Sequence, residues 1–462
     1  MHHWNFFLVT FGCKVNQYET QALREAWTAQ GGVECSMPSL ADVLCINSCA
    51  ITAKGERDAR NAVYRLRREA PKARLILTGC STRLFASYTP CRGAASVEPD
   101  LLVPQEEKYR LLAGPWPDMH VTFSSTVPFN TAYPPFCISS FQRTRPVLKV
   151  QDGCNHRCTY CIVPLTRGRS HSRPIGDILN EAHRLLMAGY TELIISGINL
   201  GQYGRDTDGN DFWSLLKTLD VSLAPQFYGK ARLRLSSLEP GLLNQRGIDT
   251  LLSCRMLCPH LHISLQHGSQ RVLKRMGRGH YAAAMLETAL DNIAQHWPVM
   301  GLGADFITGF PGETEEDMDI LLALVQRLPL SYAHVFPYSR RPGTAAAHFD
   351  DQIPHTLALT RSARLREVIA QKKVLFFQSQ CTLPQMYMTV DRPDNGERLD
   401  NLKGINEYYV PCFLSPALDV AAFENIAHHR GLLAVRPISW TMKGLLVQPM
   451  EKQKTPAGST AV

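Results

Sequence analysis

The cysteines are where this sequence could do chemistry. One segment reads Gln151-Asp-Gly-Cys154-Asn-His-Arg-Cys158-Thr-Tyr-Cys161. Three thiolates on one short loop can ligate three irons of a cubane cluster and leave the fourth iron open to a chelating small molecule. A structural zinc ion in the same place would require a fourth ligand, His156 or His171. A second set is dispersed: Cys13, Cys49 and Cys80 each follow a short apolar strand pattern within a few residues. In an open parallel sheet ligands gather at the carboxyl ends of strands, so these thiols should converge on one edge and offer a second trio. The alternative is three buried core cysteines, since free cysteine is among the most buried residue types. Cys45, inside a strand, and Cys254 and Cys258, at helical spacing before Pro259, read as core. Cys35, Cys91, Cys137, Cys381 and Cys412 have no partner pattern.

The elements that must position these groups alternate between strand and helix. Strands near Asn5–Thr10, Asp42–Asn47 and Arg74–Thr78 are separated by helical stretches near Gln17–Gln30 and Gly55–Glu69. That order predicts a parallel α/β sheet with the dispersed cysteines at its edge. Six prolines between Leu111 and Pro146 read as a linker. Strands near Val147–Gln151, Leu193–Ser196, Leu233–Leu238, Leu261–Leu265, Gly303–Ile307 and Ala333–Pro337 follow, with helices at Ile178–Met187, Ala282–Ile293 and Glu315–Arg327. Six such strands make a partial (βα)6 barrel, short of the eight of a full one. A helix near Thr360–Gln378 and short alternating segments at Gln385–Val390, Tyr408–Leu414 and Leu432–Val435 predict a small β module. The expected layout is 1–110 for the N-terminal sheet and 111–146 for the linker. The barrel with its trailing helix then takes 147–378, the β module 379–450, and a disordered tail 451–462.

Composition limits the setting. The 462 residues carry 14 cysteines, a density far below that of a disulfide scaffold, and the start reads as a strand, not a signal peptide. Grouped cysteines then point to metal in a reducing, cytoplasmic compartment. No apolar run approaches a membrane span. A net charge of +8 is compatible with a polyanionic partner.

The order of the two cysteine sets, and the words around them, resemble the methylthiotransferases of the radical S-adenosylmethionine superfamily. The words are Thr10-Phe-Gly-Cys-Lys-Val-Asn-Gln-Tyr-Glu-Thr20, Ile46-Asn-Ser-Cys-Ala-Ile-Thr52, Leu77-Thr-Gly-Cys80, Cys161-Ile-Val-Pro, His260-Leu-His-Ile-Ser-Leu-Gln266, Asp305-Phe-Ile-Thr-Gly-Phe-Pro-Gly-Glu-Thr314 and His334-Val-Phe-Pro-Tyr-Ser339. The Gly-Cys-Lys-Val-Asn form is most similar to the branch acting on threonylcarbamoyladenosine in tRNA. The isopentenyladenosine branch typically carries Gly-Cys-Gln-Met-Asn there.

The resemblance implies two 4Fe-4S clusters, one on Cys154, Cys158 and Cys161, the other on Cys13, Cys49 and Cys80. The first would reduce bound S-adenosyl-L-methionine to give a radical that removes the unreactive C2 hydrogen of adenine, and the second would carry the sulfur. Tyr160 would pack near the cofactor's adenine, Gly197 would touch its methionine amine through the backbone, and Gln266 would face the same pocket. Their plainer readings are a core aromatic, a turn glycine and a partner for a buried backbone group. The implied partners are tRNA, an external flavodoxin- or ferredoxin-like one-electron reductant and a sulfur source, with no membrane. The implied C-terminal module is a TRAM-like β-barrel that binds RNA.

Two basic regions stand out. Lys54 to Arg74 holds eight basic residues against three acidic, and Arg57, Arg60, Tyr64 and Arg68 share one helical face. Such a face suits phosphate contact and base stacking, or is simply a solvated helix surface. Arg143, Arg145, Arg157, Arg167, Arg169 and Arg173 cluster around the cysteine loop, where guanidinium groups suit phosphate or carboxylate. Residues 381–450, in contrast, carry six basic and seven acidic residues, which predicts a weak RNA contribution from the β module.

Overall fold

The structure is a computed structural model that describes residues 3–86, 98–116, 133–207, 209–391, 402–415 and 431–450. Its first unit is a five-stranded parallel sheet. The strands are β1 (Trp4–Thr10), β2 (Gly32–Glu34), β3 (Val43–Ser48), β4 (Arg74–Gly79) and β5 (Leu101–Val103), in spatial order β2-β1-β3-β4-β5. The helices are α1 (Lys14–Ala29), α2 (Ala53–Glu69) and the short α3 (Thr82–Ala86). α1 begins three residues earlier than its apolar periodicity indicates, because Gly12 turns the chain and Cys13 takes the N-cap position. β3 is buried along its whole length, as befits the centre of a parallel sheet. β2 and β5, three residues each, are too short to carry a sequence pattern.

The second unit is the partial barrel. β6 (Val147–Lys149) leads to β7 (Gln151–Asp152), which pairs antiparallel with β8 (His171–Ser172) across the base of the cysteine loop. Between these lies α4 (Val163–Arg167). There follow α5 (Ile175–Met187), β9 (Glu192–Ser196), α6 (Phe212–Phe227), β10 (Arg232–Leu235), β11 (Ser237–Leu238), α7 (Gln245–Ser253) and β12 (His260–Gln266). α8 (Gln270–Arg275), α9 (Ala283–Ala294), β13 (Gly301–Thr308), α10 (Glu315–Arg327), β14 (Tyr332–Pro337) and α11 (His355–Gln380) complete it. Strands β6, β9 and β10 form one parallel sheet and β11 to β14 another. β10 and β11 are one strand interrupted at Ser236, so the two sheets are halves of a six-stranded parallel barrel wall. Cys254 follows the end of α7 and the buried Cys258 precedes β12, both in irregular chain, so the helical spacing of that pair reflects no shared helix.

The third unit is a closed five-stranded barrel of β15 (Met386–Val390), β16 (Lys403–Asn406), β17 (Pro411–Leu414), β18 (Leu433–Thr441) and β19 (Gly444–Pro449). Met386, Met388, Cys412, Val435, Leu445 and Val447 fill its centre. The tail 451–462, Cys91 and most of the charged residues counted in the C-terminal module lie outside the described residues.

One apolar core runs from the N-terminal sheet into the barrel, taking in Phe6, Tyr18 and Trp27 on one side and Val147, Leu193 and Leu233 on the other. The described parts of the proline-rich stretch join that core: Phe136, Ile138 and Phe141 are buried. Tyr18 Oη donates to Phe136 O at 2.8 Å, and Trp27 Nε1 to Leu111 O at 2.7 Å. The stretch therefore packs as a strap, its apolar residues being spaced too irregularly to register as an element. No helix among the described residues is long and apolar enough to cross a membrane.

Candidate functional site

The loop 153–170 is fixed before its cysteines are considered. Gly153 has φ +68°, and a Cβ there would lie 1.8 Å from Arg169 O, so only glycine lets the loop close on itself. Cys154 N donates to Gly168 O at 3.0 Å, Asn155 N to Gln202 Oε1 at 2.7 Å, and Thr159 N to Met276 O at 2.9 Å. The Gln151 amide bonds Gly153 O and Ser170 Oγ from beneath. Cys154, Cys158 and Cys161 are thus presented by a braced loop at the carboxyl end of the barrel's first strand.

The dispersed cysteines do come together at the carboxyl edge of their sheet. Cys13 caps α1 without the side-chain hydrogen bond a serine or aspartate would make there, leaving its thiol available. Gly12, at φ +94°, passes so close to Cys49 that a Cβ would meet its Sγ at 2.7 Å. Cys80 follows β4 directly and packs with Ala50 and Ile162, the latter next to Cys161 in the chain. Arg167 Nε donates to Cys80 Sγ at 3.2 Å.

Burial pushes most of these thiols up, Cys49 and Cys161 to about 12. Cys158 differs: burial would raise it, but hydrogen bonds from His156 and Arg278 outweigh that and hold it below its ordinary value. His156 is raised to about 9 by Cys158 and by Glu239, whose carboxylate lies 3.1 Å from both His156 Nδ1 and Arg278 Nη1. Buried thiols that resist ionisation alone are suited to a cationic centre, whose charge inverts that preference. A zinc ion on the loop trio would need His156 or His171 as its fourth ligand. His156 is already engaged with Glu239, and His171 lies in β8 at the loop's base.

A cavity of about 910 Å³ opens between the three units. Cys13 lines it, together with Cys154, Cys158 and Cys161, and so do Tyr160, Gly197 and Gln266. Tyr160 sits edge-on to Phe310 with ring centroids 6.5 Å apart. Gly197 follows β9 so closely over Gln151 that a Cβ would lie 2.9 Å from its Oε1. Gln266 is the last residue of β12, with φ +67°, a backbone turn that presents its side chain to the cavity. Asp391, Lys403 and Tyr409 of the C-terminal barrel also line the wall, a contribution that net charge gives no reason to expect.

The arginine concentration around the loop divides. Arg167 and Arg173 are buried and committed to internal partners, so neither is free for phosphate or substrate. Arg167 bonds Glu19, Asp152 and Asn16, and Arg173 bonds Glu181. Arg143 and Arg145 line the cavity. On α2, Arg60 pairs with Glu56 at 2.8 Å and stacks over Phe85, while Arg57, Tyr64 and Arg68 face outward. Lys14, Asp305 and His334 reach the cavity from words noted in the sequence, but nothing in their spacing marks them as its lining.

Residues 148–325 match the Radical SAM superfamily and residues 5–87 match the Uncharacterized protein family UPF0004. The chain is 37% identical over 381 residues to a threonylcarbamoyladenosine tRNA methylthiotransferase MtaB of Chlamydia pneumoniae, covering 80% of this chain and 84% of the relative. It is 32% identical over 380 residues to the protein of that name from Aquifex aeolicus, covering 80% and 88%. A tRNA-2-methylthio-N(6)-dimethylallyladenosine synthase of Roseobacter denitrificans is 32% identical over 382 residues, covering 79% and 83%.

Proposed function

Because this chain belongs to the radical S-adenosylmethionine methylthiotransferase family, we propose that it replaces the C2 hydrogen of N6-threonylcarbamoyladenosine, beside the tRNA anticodon, with a methylthio group. The observation that carries this reading is the shared cavity: Cys13 of one trio and all three cysteines of the other line the same space. The six thiols fit two clusters, Cys154, Cys158 and Cys161 holding one and Cys13, Cys49 and Cys80 the other. When bound, these groups and S-adenosyl-L-methionine supply one-electron reduction, radical hydrogen abstraction and transferable sulfur.

The chain's own residues position and enclose. Tyr160, Gly197 and Gln266 bound the part of the cavity next to the braced loop and are assigned to S-adenosyl-L-methionine. Glu239 and Arg278 hold His156 against Cys158 and fix that side of the loop. Arg167, buried between Cys80 and Asp152, ties the two cysteine sites to one rigid frame. Asp391, Lys403 and Tyr409 close the cavity from the C-terminal barrel, which restricts water around a reactive intermediate. The layout follows the sequence divisions: residues 1–110 for the sulfur-carrying site, 147–378 for radical generation, and 379–450 as lid and RNA module. The reading places the protein in the cytoplasm with tRNA as partner, served by an external one-electron reductant of flavodoxin or ferredoxin type and by a sulfur source.

The test is mass spectrometry of tRNA nucleosides from a strain lacking this gene and any redundant enzyme. Methylthio-threonylcarbamoyladenosine should vanish and threonylcarbamoyladenosine accumulate. An unchanged methylthio product, or loss of the dimethylallyl counterpart instead, would refute the substrate assignment.

A further inference from the structure

Two cations that line the cavity, among the described residues, are in no ion pair. Lys14, the first residue of α1, and Arg145, just before β6, both face the space shared by the cysteines. Among the described residues neither has a carboxylate within 4.0 Å, and Arg145 Nη1 is buried with no hydrogen-bond partner. The nearby acids have other partners: Asp305 Oδ1 lies 3.0 Å from His262 Nε2, and Asp391, which feels the charge of Arg145 without pairing with it, is hydrogen-bonded to Thr144. The charged groups around Lys14 are Arg145 and Arg234 on the positive side, with Asp305 and Glu192 on the negative. Glu192 is itself held by Arg232 and Arg234.

Both residues are half-buried, and guanidinium and ammonium groups partly withdrawn from water and left unpaired are costly unless a ligand completes them. A guanidinium offers a fork and an ammonium a point charge, and together they suit one carboxylate. We propose that Lys14 and Arg145 form a carboxylate subsite that receives the free carboxyl group of the substrate's threonyl moiety. The inference rests on the proposed substrate, whose side chain ends in that group, while a dimethylallyl side chain is hydrocarbon and would leave both cations uncompensated. The subsite therefore sets specificity, since a site built around a charged partner rejects analogues that lack it far better than an apolar pocket rejects extra bulk.

The experiment uses the reconstituted full-length enzyme and an anticodon stem-loop carrying N6-threonylcarbamoyladenosine. Its comparison substrate is the same stem-loop with the threonyl carboxylate converted to a carboxamide. Equilibrium binding and initial rates are measured for both. The wild type should bind the carboxylate form roughly 10- to 100-fold more tightly than the carboxamide. Lys14→Gln and Arg145→Gln should each bring that ratio towards one, and Lys14→Arg should keep most of it. A ratio near one in the wild type, or a ratio unchanged in both glutamine variants, would overturn the subsite. General damage next to Cys13 weakens both substrates alike and leaves the ratio unchanged, so it counts against the proposal. A wild-type binding ratio that collapses in the glutamine variants supports the subsite even where turnover fails, and absent turnover on the threonyl substrate would overturn the functional reading separately.

Discussion

Arg167 donates from Nε to Cys80 Sγ at 3.2 Å, across the seam between the N-terminal sheet and the barrel. Its Nη1 meets Asp152 at 2.8 Å and Glu19 at 3.0 Å, and its Nη2 meets Asn16 at 2.6 Å. Lys108 and Lys149 close the same network on Glu19 at 2.6 and 2.7 Å. All of these charges are buried, so the network fixes geometry more than it adds stability, and losing one member strands the others.

Arg167→Met is therefore expected to destabilise the protein by about 3–5 kcal/mol, measured by denaturant unfolding, because Glu19 and Asp152 lose one of the two cations they share and keep only Lys149 between them. The same variant should lose iron preferentially from the Cys13, Cys49 and Cys80 site, read by iron analysis after reconstitution. A surface arginine serving phosphate would behave differently: its loss would weaken RNA binding and leave stability alone.

Glu192 on β9 organises the docking of the C-terminal barrel. It accepts hydrogen bonds from Arg232 Nε and Arg234 Nε, both at 2.6 Å, and those guanidinium groups donate onward to Tyr387 O, Ile405 O, Glu407 O and Asn406 O. Burial would raise this carboxyl, but Arg234 and Arg232 outweigh it and hold Glu192 well below the usual carboxylate range. Glu19 is likewise held down, by Arg167, Lys108 and Lys149 against its burial. A depressed native pKa stabilises the fold fully above the unfolded value, about 4.3, and that contribution drains away as pH falls below it. The docking of the C-terminal module should therefore weaken in acid, seen as protease cleavage beyond Gln380 that accelerates as pH falls below about 4.3. Glu192→Gln should produce the same cleavage at neutral pH. Equal cleavage of variant and wild type at pH 7 would sink this account.

The parts of this architecture that show in the sequence are those with a local signal. The Cys154 loop declares itself because its three ligands lie within eight residues, and β1, β3 and β4 because each is a short apolar run followed by a glycine, serine or cysteine turn. What stays hidden is set by distant chain segments. Arg167 looks like a ligand-binding arginine because its neighbours in sequence are basic, while its actual partners Glu19 and Asn16 lie about 150 residues away. Phe136 and Ile138 look like linker because prolines surround them, and they are core because Tyr18 and Glu181 bond their backbone. Tyr409 and Lys403 have no motif at all, and only the docking of one barrel on another brings them to the cavity.

The outer face of α2 gives a prediction for RNA. Its inner face is buried through Ala59, Ala62, Val63 and Leu66, and its first turn is held to the barrel by Ala53 N to Ser339 Oγ at 3.0 Å and by Glu56 to Arg341 at 2.6 Å. That leaves Arg57, Asn61, Tyr64 and Arg68 exposed in one stripe, with Tyr64 42% accessible. Tyr64→Ala should weaken tRNA binding by about 1–3 kcal/mol if a base stacks there. Arg57→Gln with Arg68→Gln should lower the slope of log K against log salt by roughly 0.7 for each phosphate contact removed. Unchanged affinity and slope in a binding titration would return the stripe to an ordinary solvated surface.

The cysteine assignment makes the sharpest numerical prediction. With both trios loaded, anaerobic reconstitution should give about eight irons and eight sulfides per chain. Cys49→Ala should bring this to about four, because Cys49 sits against the Gly12 turn that leads into Cys13 and its loss leaves that trio one ligand short. Cys161→Ala should also leave about four, and the two variants should differ in spectrum. Tyr160, Gly197 and Gln266 line the cavity beside the braced loop. A cluster held there by Cys154, Cys158 and Cys161 would be the one to meet S-adenosyl-L-methionine, so only the Cys49 variant should shift its electron paramagnetic resonance signal on adding it. Eight irons in either variant, or zinc in place of iron, would remove the two-cluster arrangement.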